Sequence, residues 1–268
     1  MNDKVLIVIP ARYGSPRFAG KPLAVISGLP MIVHVYLRAS KVHNVDKVIV
    51  ATDDYRIKAV VEEAGGTAVM TAASHPTGTS RVAEAASKFT HGIVVNIQGD
   101  EPHVPVHSVE KLIDAMVDDP KLVMGTLAAP ATSLEDLMRL DVVKVVCDQD
   151  GNALYFSRSP IPFPWYPGSS GTAGSEGSGS SKSRRPAPYL RHIGVYAFRR
   201  TFLKEFARTK PGPLERSEGL EQLRALEFGC AIRVVITRSA SIGVDRPEDV
   251  KRVERAMRAR PGSRRTRN

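Results

Sequence analysis

The sequence predicts an α/β fold in which a mixed, mostly parallel sheet is flanked by helices. Strand and helix patterns alternate along most of the 268 residues, the order expected when strands are joined by helical crossovers. Residues 5–9 and 93–97 are nearly continuous apolar runs, the texture of strands covered on both faces. Hydrophobic content of 42% with 25% charged residues allows a sizeable core in an ordinary soluble globular chain.

The elements follow in order. After the strand at 5–9, a loop rich in Gly and Pro leads to a helix over 30–39, with Pro30 tolerated in its first turn. Residues 48–51 form a strand, 55–64 a helix closed by Gly65-Gly66, and 67–70 a short strand. A helix over 79–88 has a threonine near its cap, 93–97 is the second buried strand, and a helix over 106–117 stops before Asp118-Asp119-Pro120. Then the texture changes. Residues 123–128, 142–147 and 153–158 are strand-like, with Asp150-Gly151 as a turn signal between the last two. A strand at 193–198, helices over 201–207 and 219–228, a strand at 232–237 and a helix over 245–258 complete the set.

One domain is expected over residues 1–257. It is interrupted at 168–185 by a low-complexity insertion of seven serines and five glycines with nothing to bury, read as a flexible surface loop or, alternatively, a lid. Residues 258–268 form a basic tail expected to be disordered. The net charge is +10, but five arginines of that tail account for half of it, so a specific nucleic-acid partner is not expected. No apolar run approaches the roughly 20 residues that span a bilayer. The first residues lack the pattern of a signal peptide, and cytoplasmic residence is the expectation. Cys147 and Cys230 form no C-x-x-C pair and read as core thiols.

The loop after the first strand runs Ile9-Pro10-Ala11-Arg12-Tyr13-Gly14-Ser15-Pro16-Arg17-Phe18-Ala19-Gly20-Lys21-Pro22. Small residues let backbone N–H groups approach an anion, and Arg12, Arg17 and Lys21 can neutralise it, so a polyphosphate suits the loop. A solvated surface loop remains the plainer alternative. Asp100 lies just past the carboxyl end of the strand at 93–97, the edge where open α/β sheets bind ligands; Asp100-Glu101-Pro102 also suits a simple turn. Asp245 fits a helix N-cap, with Pro247 in the first turn and Glu248 completing a capping box.

The loop resembles the opening signature of the cytidylyltransferases that activate acidic sugars, and most of all the 3-deoxy-manno-octulosonate (Kdo) cytidylyltransferase family. The resemblance recurs in the family's order at Val50-Ala51-Thr52-Asp53, Gly78-Thr79, Asn96-Ile97-Gln98-Gly99-Asp100-Glu101-Pro102 and Val143-Lys144-Val145-Val146. It continues at Tyr155-Phe156-Ser157-Arg158, Arg191-His192-Ile193-Gly194-Val195-Tyr196, Leu220-Glu221-Gln222-Leu223-Arg224 and Gly243-Val244-Asp245-Arg246-Pro247-Glu248-Asp249.

That resemblance implies a nucleotide-diphospho-sugar transferase-like (Rossmann-like) fold with a smaller antiparallel portion covering the site. It implies CTP and Kdo as substrates, Mg²⁺ as cofactor, a homodimer, and a place in lipopolysaccharide biosynthesis. Asp100 and Asp245 resemble the family's metal-holding pair; an aspartate can cap with one oxygen and meet a metal with the other. Arg12 and Lys21 fall to the β- and γ-phosphates, with Arg17 a further candidate and Ser15 in the same loop. Gly78, Thr79 and the backbone near Ala11 resemble the part that reads cytosine, and Gln98 and Arg81 belong to the same nucleotide set. The family usually has an acidic residue before that arginine, where this chain has Ser80. Arg158 and His192 suit the sugar carboxylate, through paired donors and a single directional donor. Gln98, Tyr196, Glu221 and Gln222 resemble residues that bond the sugar hydroxyls. Another acidic sugar, such as a sialic acid, is the nearest alternative substrate.

Overall fold

The computed structural model describes residues 4–14, 18–131, 133–163, 189–238 and 243–258. Ser15, Arg17, the insertion at 168–185 and the tail beyond 258 lie outside the described residues.

The chain begins with β1 (Val5–Ala11), a one-turn 3₁₀ helix (Lys21–Leu23), the short strands β2 (Val25–Ile26) and β3 (Leu29–Pro30), and α1 (Met31–Ala39). Then come β4 (Lys47–Thr52), α2 (Tyr55–Glu63), β5 (Ala68–Met70), α3 (Gly78–Ser87), β6 (Ile93–Ile97) and α4 (Val106–Asp118). The second half holds β7 (Met124–Pro130), α5 (Leu134–Met138), β8 (Lys144–Cys147), β9 (Ala153–Ser157) and β10 (Leu190–Arg199). It ends with α6 (Arg200–Phe206), α7 (Pro213–Glu218), α8 (Leu223–Glu227), β11 (Ile232–Ile236) and α9 (Asp249–Arg258).

Seven of the strands run β11-β7-β10-β6-β1-β4-β5 across one sheet, with β8 pairing to β10 and β9 pairing to β8. β1 is parallel to β4 and β6, β4 to β5, and β7 to β11, whereas β10 is antiparallel to β6, β7 and β8. The expected mixed sheet with an antiparallel portion is therefore present, and β10 is the strand that reverses it.

Alternation explains the layers. Val5, Ile7 and Ile9 of β1 pack with Ile32 and Val35 of α1 and Leu112 of α4 on one face. Leu6 and Val8 pack with Val82 and Ala85 of α3 on the other. All seven residues of β1 are buried, each large side chain contributing about 1.5–3 kcal/mol, so the loop leaving its end springs from a fixed point. No helix among the described residues is long and apolar enough to cross a membrane.

Several boundaries differ from the sequence expectation. The helix expected over 219–228 is split: Gly219 at φ +63° ends α7, and residues 220–222 form a turn before α8. The helix expected from 245 starts at Asp249, whose Oδ2 accepts from the Asp245 and Arg246 amides at 3.0 Å each. Asp245 is thus not the N-cap, and no capping box with Glu248 forms. The cap of α3 is Thr77, which accepts from Ser80 N while Ser80 Oγ accepts from Thr77 N. The hairpin β2–β3 was not foreseen; its Ser27-Gly28 turn has φ of +47° and +90°, a two-residue turn with both central residues left-handed.

Candidate active site

β1 and β6 run side by side in parallel, Val5 opposite Ile93 and Val8 opposite Asn96, so the segments that leave them emerge at the same sheet edge. Only glycine fits at 99, because a Cβ there would lie 2.6 Å from the Pro10 carbonyl oxygen. Between these segments and the start of α3 lies a cavity of about 240 Å³ lined by Ala11, Arg12, Lys21, Thr77, Gly78, Arg81, Gln98 and Asp100, among others.

The first loop folds back on itself. Gly20, left-handed at φ +69°, donates to the Tyr13 carbonyl at 3.0 Å, and this brings Lys21 under the mouth of the cavity. Lys21 Nζ donates to Asp100 Oδ2 at 2.6 Å and to the Val244 carbonyl at 3.1 Å, and lies 3.6 Å from Asp245 Oδ1. The Val244 amide returns a bond to the Asp100 carbonyl at 2.9 Å. The two aspartates thus converge on one positive charge, although 145 positions separate them in the chain, and a second cavity touches both.

Arg81 is buried and ordered without an acidic neighbour in sequence. It donates to Asp53 Oδ2 at 2.8 Å and to Thr71 Oγ1 at 2.6 Å, so Asp53 supplies the carboxylate that Ser80 lacks. Thr79 is 4% exposed and is not on the cavity wall; its hydroxyl donates to Glu221 Oε2 at 2.6 Å.

A polar cluster adjoins the cavity. Gln98 bridges the two: its Oε1 lies 3.7 Å from where a Gly78 Cβ would be, and its Cγ 3.6 Å from the same point on Gly194. The Tyr196 hydroxyl donates to Gln222 Oε1 at 3.1 Å. Burial, and then the nearby Glu221 charge, push the Tyr196 phenol far upward. Glu221 is raised as well, first by burial; bonds from Thr79 and Thr77 and the charge of Arg224 work against that. Buried Gln222 Nε2 and Asn96 Nδ2 have no hydrogen-bond partner, which marks a place where a polar ligand or water belongs.

β10 bulges between Ile193 and Tyr196, and Thr126 of β7 fills the irregularity. Thr126 Oγ1 donates to the Val195 carbonyl at 2.8 Å and meets His192 Nε2 at 2.9 Å. With that hydroxyl proton given away, Nε2 of His192 is the donor of the pair. The ring packs edge-on against Phe156, and desolvation pushes its pKa down to about 3, so it is neutral and its Nδ1 is an acceptor. Arg158 is held on main-chain oxygens: Nε to Glu218 at 2.8 Å, Nη1 to Leu140 at 3.0 Å and Nη2 to Gly219 at 3.5 Å.

Sequence reasoning missed Asp53, Thr77, Asn96, Thr126 and Lys144. Asp53, Asn96 and Lys144 fall inside the quoted blocks but carry no spacing that announces a role. Ser15 and Arg17 lie outside the described residues, and no group of three or more His, Cys, Asp or Glu able to hold a metal occurs among the described ones.

A family model described as cytidylyltransferase matches residues 6–233. The chain is 48% identical to the 3-deoxy-manno-octulosonate cytidylyltransferase of Pelobacter propionicus, over 95% of this chain and 98% of that one. It is 47% identical to the protein of the same name from Geobacter sulfurreducens, over 93% and 97%. A solved structure of CMP:2-keto-3-deoxy-manno-octonic acid synthetase in complex with CTP superposes with a TM-score of 0.84 at 42% identity, over 95% of this chain and 98% of that one. The 4-diphosphocytidyl-2C-methyl-D-erythritol synthase of Anaerococcus prevotii, at 15% identity and a TM-score of 0.59, shares the fold, covering 95% of this chain and 99% of that one. On this similarity and this shared architecture, the chain belongs to the cytidylyltransferase family, alongside the 3-deoxy-manno-octulosonate cytidylyltransferases.

Proposed function

We propose that the chain transfers CMP from CTP to Kdo and releases pyrophosphate, as a single cytidylyltransferase domain over residues 1–257. The supporting observation is the convergence of Arg12, Lys21, Asp100 and Asp245 at the shared edge of β1 and β6, beside a polar cluster with unpartnered buried donors.

In this reading the sugar hydroxyl attacks the α-phosphorus while pyrophosphate leaves in line. The protein works by holding the reactants together and offsetting charge. Arg12 and Lys21 take the β- and γ-phosphates and stabilise the charge that gathers on the leaving group. Gly78 and the backbone at Ala11 form the wall against which the base lies. Arg81, locked by Asp53 and Thr71, completes that wall. Ser15 and Arg17 are assigned to the same nucleotide half.

Mg²⁺ fits the donors present. Asp100 and Asp245 bring two hard oxygen ligands around one positive charge, and the ion favours one or two carboxylates with phosphate oxygens and water. When bound there, it supplies further neutralisation of the crowded phosphate oxygens.

On the sugar side, Gln98, Tyr196, Glu221 and Gln222 take hydroxyls. Neutral His192, with Nε2 committed to Thr126, offers an acceptor to a hydroxyl rather than a donor to the carboxylate. The carboxylate falls to Arg158, whose three main-chain bonds leave one N–H on each Nη to receive it. The protein acts in the cytoplasm as a homodimer and serves lipopolysaccharide synthesis.

The test is pyrophosphate release from CTP and Mg²⁺ with Kdo, with a sialic acid, and without sugar. Release that depends on Kdo supports the reading. Release with the sialic acid alone moves the substrate to another acidic sugar, and none with either acid rejects it.

A further inference from the structure

Thr79 sits at the start of α3, next to Gly78 on the cavity wall, yet it is 4% exposed and its side chain meets a residue 142 positions away. A threonine hydroxyl has one proton, and here it goes to Glu221 Oε2 at 2.6 Å, a short charge-assisted bond. Thr77, the cap of the same helix, donates to the other oxygen, Oε1, at 3.1 Å. Glu221 lies in the turn between Gly219 and α8, with no regular element of its own to fix its side chain. Its geometry is imposed from α3. The neighbour Gln222 belongs to the polar cluster through Tyr196 and carries an unpartnered buried donor.

We propose that Thr79 is a positioning residue for the acidic sugar and not a reader of the nucleotide base: its hydroxyl fixes the Glu221 carboxylate where sugar hydroxyls donate to it. This inference builds on the functional reading above, in which Glu221 faces the sugar. It also gives α3 two jobs, since Gly78 lines the nucleotide cavity and the next residue orders the sugar side. A carboxylate at the N-terminus of this ten-residue helix is favoured by the helix dipole as well. Three ionisable groups act on Glu221: Arg224, 3.5 Å from Oε1; Glu215, paired to Arg224 from α7; and Tyr196 of β10.

The experiment uses the full chain with CTP, Mg²⁺ and Kdo, and compares wild type with Thr79→Val, Thr79→Ala and Thr79→Ser. Losing a hydrogen bond to a charged group predicts a rise of about tenfold in the Kdo KM for Val and Ala, with the CTP KM within about twofold and recovery in Ser. In a Glu221→Gln background, Thr79→Val should add no further increase. The acid limb of kcat/KM for Kdo should move to higher pH in Thr79→Val, because the lost donor no longer favours the ionised carboxylate. A raised CTP KM with an unchanged Kdo KM would overturn the proposal, as would additive effects in the Glu221→Gln background or an unmoved acid limb. Thr79→Ala and Thr79→Ser keep the test open should the Val variant fold poorly. If wild type turns over another acidic sugar, the same comparison runs with that sugar. If it turns over none, calorimetric CTP binding decides: binding weakened in Thr79→Ala and restored in Thr79→Ser overturns the residue assignment, and unchanged binding supports it, separately from the function.

Discussion

Lys21 Nζ and Asp100 Oδ2 lie 2.6 Å apart although 79 positions separate them in the chain. A loop cation and a carboxylate at a strand end are thus brought into direct contact by the fold. Lys21 Nζ also lies 3.6 Å from Asp245 Oδ1, so the loop cation and both carboxylates form one charge cluster at the strand ends.

Asp100→Asn should therefore cost at least about 10³-fold in turnover while leaving the fold intact, since a partly exposed ion pair is worth only about 0–1 kcal/mol of stability. Pyrophosphate release and a thermal melt read the two effects separately. Mg²⁺-dependent release at the wild-type rate would remove Asp100 from the site.

Arg81 gives a different balance. Its guanidinium is buried, and Asp53 is the carboxylate that compensates it. Asp53→Ala should destabilise the protein by about 3 kcal/mol, because the charge left behind stays desolvated. It should also raise the CTP KM, as Arg81 lines the cavity. Equilibrium urea denaturation alongside CTP kinetics checks both. An unchanged midpoint would mean that Thr71 alone satisfies the arginine.

Where periodicity and apolar runs carry the information, the fold was legible: residues 5–9 and 93–97 are strands buried on both faces, as their composition demands. The site was legible where chemistry sits on a strand end, as with Asp100. It was not legible where geometry depends on a distant partner. Nothing near Ser80 reveals that Asp53 replaces the acidic neighbour. Nothing near Gly78 reveals that Thr79 turns toward Glu221. The start of the last helix was misplaced for a local reason, since Asp249, its first residue, binds the amides of residues 245 and 246 and an aspartate at either position satisfies the pattern.

Lys144 has no exposed surface and spends its ammonium on the carbonyls of Val142 at 2.7 Å and Arg139 at 2.9 Å, and on that of Arg158. Three donors meet three acceptors, and the loop after α5 is tied to the end of β9. Lys144→Met should cost about 3 kcal/mol, as the abandoned carbonyls lose a charged donor. Because Arg158 belongs to this tie, the Kdo KM should rise more than the CTP KM. A melt and paired kinetics test it; equal changes in both constants would reduce Lys144 to a purely structural part.

His192 makes stability depend on pH with a definite sign. Its pKa is pushed down to about 3 in the folded protein, against about 6.5 in an unfolded chain. Between those values the unfolded chain binds a proton that the folded one does not, so acidification favours unfolding by up to about 1.4 kcal/mol per pH unit from this residue alone. Above about pH 6.5 the contribution is flat. His192→Asn removes the effect and loses ring packing against Phe156, so it should be less stable than wild type at pH 7.5 and lose less on going to pH 4.5. Urea midpoints of both proteins across that range measure the difference, with the other carboxylates cancelling in the comparison. Parallel curves would show that the imidazole takes up its proton on Nδ1 in the folded state.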